Sequence, residues 1–143
     1  MRRTNALIAA IFLVALIPAA AEEESTLVSW DTLAQVSVTR QKDRFVAQFS
    51  RQILALDKRE VKLKGFMMPL ERGLAQKHFL LTMEPPDGDF CMPGNAEQFA
   101  EVLAKEPVKV PSDAIVVSGT FSLVEDDSGG LLYRLTDAVI VNK

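Results

Sequence analysis

One cysteine, one histidine and five methionines are the sulfur and imidazole donors of this 143-residue chain. Thioethers and a thiolate suit soft Cu(I), while Zn(II) takes Cys, His and carboxylate in a tetrahedron. Cys91, His78 and Met92 are therefore the candidate metal ligands, with Met67, Met68 and Met83 as further thioethers. No two of them stand at a recognised ligand spacing. Met67 and Met68 are adjacent, and adjacent strand residues point to opposite faces, so one ion reaches both only across a distorted backbone. A methionine is also the flexible filler of irregular cores. His78 reads as a polar residue at a strand start or as a ligand. Cys91 is inert filler, a link to another chain, a contact or a ligand.

Enzyme chemistry finds less material. The chain has neither a G-x-S-x-G elbow nor a two-cysteine redox motif, and no phosphate-cradling glycine loop. "EDDSGG" is acidic, but it lacks the alternating ligands and the later Glu of a calcium loop. The chain is thus read as a non-enzyme, with its cofactor, if any, unidentified.

The elements that position these residues follow from periodicity. "DRFVAQFSRQILALDKRE" places Phe45, Phe49, Ile53 and Leu56 at helical spacings and predicts one amphipathic helix from Asp43. In "VKLKGFMMPLE", Val61 and Leu63 alternate with lysines. Gly65 offers a bulge or bend that shifts the apolar phase, and Pro69 stops the strand. "HFLLTM" is a further strand, ended by Pro85 and Pro86, and "PPDGDFCMPGN" is turn-rich. "FAEVLA" fits either a strand or a helix capped by Asn95. "AIVVSGTFSLVEDDSGGLLYRLTDAVIV" is a hairpin whose second strand changes phase near Thr136 and Asp137, as a bent barrel strand does.

These elements predict a mainly β fold, a small curved five-stranded barrel of the oligonucleotide/oligosaccharide-binding type with one amphipathic helix. A helix-backed antiparallel sheet is the alternative.

At the N-terminus, Arg2 and Arg3 precede an apolar run from Ala6 to Ala21, followed by Glu22 to Glu24. That pattern predicts a secretory signal peptide over 1–21, too short for the roughly 18 to 20 residues of a spanning helix. The expected organisation is then an N-terminal arm over 22–42, with Trp30 as its packing anchor, and a single barrel domain over 43–143. Cleavage removes two arginines, so Lys+Arg falls from 16 to 14 against 19 acids and the formal charge moves from −3 to −5. Such an acidic chain is poorly suited to nucleic acid, and after cleavage it has no span to hold it in a membrane.

"SWDTL", "ILALDKREVKLKGFMMPLE", "HFLLTMEPP", "IVVSGTF" and "LLYRLTDAVI", in that order, resemble an exported bacterial family known as a domain of unknown function. "GFMMPLE" and the Tyr133-Arg134-Leu135 strand are its most specific pieces. The resemblance implies a periplasmic protein with a barrel core, sometimes encoded beside ABC-type export or metal-uptake components. Many members carry two cysteines around the turn that holds Cys91. Here Asp87, Gly88, Asp89 and Phe90 stand nearby, so a two-cysteine site is incomplete.

Two functions are carried forward. The first is a periplasmic or secreted binding or accessory protein, tied to an envelope ABC-type or metal-homeostasis system, that meets an envelope protein through an apolar patch around Phe66, Met67, Met68 and Phe90. The second is a small carrier of Zn(II) or Cu(I) that uses Cys91 with His78 or a methionine.

Overall fold

A computed structural model describes residues 24–86, 94–125 and 129–142. In chain order the elements are β1 (Thr26–Val28), α1 (Trp30–Leu33), β2 (Val36–Gln41), β3 (Arg44–Phe49), α2 (Arg51–Leu54), β4 (Glu60–Pro69), β5 (Ala75–Thr82), β6 (Phe99–Lys109), β7 (Ile115–Leu123) and β8 (Tyr133–Asn142). Strands β4, β5, β6, β8 and β7 follow one another around a sheet that closes on itself, because β4 also pairs with β7. β6 and β8 are parallel, and the other four barrel pairings are antiparallel. The expected five-stranded barrel is therefore present, with two short helices in place of one long one.

Closure depends on β4 serving two partners. Glu60 to Gly65 pair with β7, and Phe66 to Pro69 pair with β5. Gly65 stands at the changeover, where a Cβ would lie 2.5 Å from the Thr82 carbonyl oxygen and 2.9 Å from the Leu81 side chain. Glycine is required there by the approach of β5. The expected bulge and phase shift are not found: Val61, Leu63 and Met67 keep one parity and all face the core. The phase change predicted in β8 is present, with Asp137 in the left-handed region at φ 51° and a register shift opposite Ser118 and Thr120.

The alternating residues of the five strands fill the barrel. Leu63, Phe79, Leu81, Val102, Val117, Phe121, Tyr133 and Leu135 are buried there. Each large apolar side chain so buried contributes about 1.5–3 kcal/mol. Leu33 of α1 and Ile53 of α2 join this core. Both helices are single turns started by serine caps, with Ser29 Oγ accepting from the Thr32 amide and Ser50 Oγ from the Ile53 amide.

The predicted helix from Asp43 is corrected by β3. Arg44–Phe49 is a strand paired with β2, and only Arg51–Leu54 is helical. A spacing of four places Phe45 and Phe49 on one face of a strand as well as of a helix. The β-rich "RFVAQF" takes the strand because "VSVTRQ" lies in register beside it. "FAEVLA" likewise resolves to strand within β6, after a short 3-10 turn over Ala96–Gln98 that the Asn95 side chain does not cap.

The boundary expected after residue 42 falls inside the β2–β3 turn. The segment before it is integral to the fold, since β1 pairs in parallel with β4. Trp30 packs on the core as anticipated, and its Nε1 donates to the Lys64 carbonyl at 2.7 Å. Among the described residues, no helix is long and apolar enough to cross a membrane.

Candidate functional site

Packed apolar side chains fill the barrel interior, and polar side chains with exposed atoms lie on its outside. Cross-strand register places Met68, Leu80, Glu101 and Arg134 in one row across β4, β5, β6 and β8. Period-two alternation adds His78, Phe99 and Leu103 to the same outer face. Met68, Leu80 and Phe99 form a small buried cluster there, with Ala96 and Leu131 packed on it.

Beside this apolar floor lies a polar row. Glu101 accepts from His78 Nε2 at 2.7 Å through Oε1, and from Arg134 Nε through Oε2. The Glu101 side chain is only 15% exposed, against 41% for His78 and 39% for Arg134. The carboxylate therefore sits between the two bases and orients both. Since a carboxylate only accepts, the His78 Nε2 carries a proton in this contact, and Nδ1 is the ring's second polar atom. Arg134 gives Nε to Glu101, and its two terminal nitrogens are the part of the fork that suits a carboxylate or phosphate. Leu103, partly exposed and paired with His78, borders the row.

Clefts among the described residues lie elsewhere. One of about 710 Å³ has apolar walls from Val108, Pro111, Ile115 and Ile140. The side-chain hydrogen bond at its rim is the local Ser112–Asp113 pair. Another, of about 550 Å³, runs past Trp30, Phe66 and Met83. The first is also lined by Glu106, Lys109 and Asp113 and the second by Asp31 and Lys64, but among the described residues these do not form an acid–base hydrogen bond such as Glu101 makes on the outer face of β5, β6 and β8.

Of the residues singled out by sequence, His78 belongs to the polar row. Phe66 is half-buried on the wall of the smaller cleft. Met67 and Met68 are both buried and face opposite ways, one in the barrel core and one in the outer cluster. The expected exposed patch around them is corrected accordingly: alternation along β4 sends one methionine inward, and β5 and β6 cover the other. Phe90, Cys91 and Met92 lie outside the described residues. Among the described residues, no group of three or more His, Cys, Asp and Glu side chains is placed to hold a metal ion. Sequence reasoning missed Glu101 and Arg134. The available signal was the polar Glu101 between Phe99 and Leu103 in "FAEVL", once that stretch is read as a strand.

One further group is perturbed by its surroundings. Tyr133 is fully buried, and its hydroxyl donates to the Leu33 carbonyl at 2.6 Å. Burial raises its phenol pKa well above the usual value, with the nearby Glu97 charge adding to the effect. Phe121 stacks on it at 5.5 Å between ring centroids, and Phe49 lies tilted at 6.1 Å. The hydroxyl is a structural tether that fixes α1 to the end of the barrel.

No family model matches the chain, and no curated protein does. Among solved structures, the chain is similar to a DUF3299 family protein from Pseudomonas aeruginosa PAO1, at 23% identity over 68% of each chain, with a TM-score of 0.46.

Proposed function

We propose that this chain is an exported, non-catalytic binding module of the cell envelope, and that it meets an acidic group of a protein partner on the outer face of β5, β6 and β8. The observation that carries this reading is the His78–Glu101–Arg134 row. Glu101 holds two half-exposed bases side by side, and the packed interior leaves the outside of the barrel as the place for a ligand. Both carboxylate oxygens are engaged in positioning those bases, an arrangement that suits recognition better than proton abstraction. Export rests on the leader pattern over 1–21. An envelope ABC-type or metal-homeostasis system as the source of the partner rests on the family resemblance.

The carrier of Zn(II) or Cu(I) is the weaker reading. His78 alone of its proposed ligands Cys91, His78 and Met92 is among the described residues, and its Nε2 is engaged by Glu101.

The binding reading is tested with a photo-crosslinking amino acid at Leu103, beside the row, and at exposed Leu27 on β1, in cells exporting the chain. The expected result is a discrete protein adduct from Leu103 and none from Leu27. Equal adducts from both positions, or none from Leu103, would remove the support for this face.

A further inference from the structure

The β2–β3 hairpin stands apart from the barrel. Among the described residues its two strands pair only with each other, over six residue pairs from Val36↔Phe49 to Gln41↔Arg44. An isolated two-stranded ribbon is marginal in water unless one face is covered. Among the described residues, the base of this one is covered: Val36, Ala47 and Phe49 pack on the core. Farther out, Val38 and Phe45 on the same face are 41% and 49% exposed.

The tip is also the basic end of an acidic chain. Arg40, Lys42 and Arg44 lie within five residues with Asp43 as the one acid, a local charge of +2 against −3 for the whole chain. The Arg40 guanidinium lies 5.9 Å from the centre of the Phe45 ring, a cation–π contact between directly opposed residues. Register places Arg40 and Arg44 on opposite faces, and Lys42 occupies the turn with φ 56°. Arg40 and Lys42 therefore stand at the end of the hairpin beside the exposed Phe45, and a surface met end-on engages all three.

We propose that this tip is a membrane-contact element that binds anionic phospholipid headgroups, with Arg40 and Lys42 on the phosphates and Phe45 and Val38 in the interfacial layer. A bilayer surface supplies negative charge in a plane above an apolar zone, and the tip carries its basic and apolar side chains at one end. An acidic protein groove would match the charge. It would engage one face of the ribbon, whereas a bilayer meets the Lys42 turn and the Arg40–Phe45 face together. The proposal is independent of the face built on Glu101.

The test is vesicle co-sedimentation of the chain as cells export it, its N-terminus checked by mass, with phosphatidylcholine vesicles alone and with added phosphatidylglycerol. Wild type is expected to sediment only with the anionic vesicles. An Arg40→Gln/Lys42→Gln double variant should partition about tenfold less or weaker still. Phe45→Ser should weaken partitioning at unchanged charge, and thermal melts should show all three proteins folded. Equal sedimentation of wild type and the charge variant, or equal binding to neutral vesicles, would overturn the proposal. So would no sedimentation with anionic vesicles; capture of wild type but not of the double variant on immobilised polyglutamate would then assign the tip to an acidic protein.

Discussion

Glu101 on β6 and Arg134 on β8 are register partners in the parallel pair of the barrel, and the Arg134 Nε donates to the Glu101 carboxylate across it. The contact spans 33 residues of sequence and exists because β6 and β8 pair in parallel. It fixes the guanidinium against the outer face and leaves its forked end for another group.

That pairing should be measurable as coupling. Glu101→Gln and Arg134→Gln are each expected to cost about 1 kcal/mol in urea unfolding, because the pair is partly buried and charge-assisted. The double variant should cost clearly less than the sum. Strict additivity would mean that the two side chains do not support each other.

Tyr133 makes a pH prediction. A phenol with a raised folded-state pKa contributes stability that is intact below its unfolded value near 10 and is lost as pH rises above it. Wild type should therefore lose up to about 1.4 kcal/mol per pH unit above roughly pH 10 relative to Tyr133→Phe. At pH 7 the variant should be less stable by about 1 kcal/mol through the lost bond to Leu33. Parallel stability–pH curves for the two proteins would contradict this assignment.

Gly65 is predicted to reject a methyl group. With the Thr82 carbonyl oxygen 2.5 Å from the ideal Cβ position, Gly65→Ala must push β4 and β5 apart. A loss of about 1–3 kcal/mol is expected in thermal or urea unfolding. A stability equal to wild type would mean that the strands are not so close there.

The methionine pair separates packing from contact. Met67→Ala should cost about 2–5 kcal/mol as a core truncation. Met68→Ala, in the smaller outer cluster, should cost less but still lower the unfolding midpoint. If neither variant changed stability, a surface role for "GFMMPLE" would return.

Much of this architecture was legible because the strands of the last third alternate over long runs and the sequence between them is rich in Asp, Ser and Gly. The phase change at Asp137 could be read because Leu135 and Ala138 both need the inside. The stretch from Asp43 misled because the four-residue spacing of Phe45 and Phe49 satisfies a helix and a strand alike, and the deciding factor, β2 lying in register, is a pairing and not a period. The polar row was hidden for a related reason. His78 alone could be placed on an outward face, but Glu101 and Arg134 become its neighbours only through pairings among β5, β6 and β8, one of them parallel.

The most direct test of the binding account is the Leu103 crosslinking probe placed in an Arg134→Gln background and compared with the same probe in the native chain. The account predicts that the adduct is lost or falls at least about tenfold, as removal of a charged partner from a recognition pair does, while the protein remains exported and folded. An adduct of unchanged yield would contradict it, because the partner would then be held without one of the two side chains that Glu101 positions to receive it.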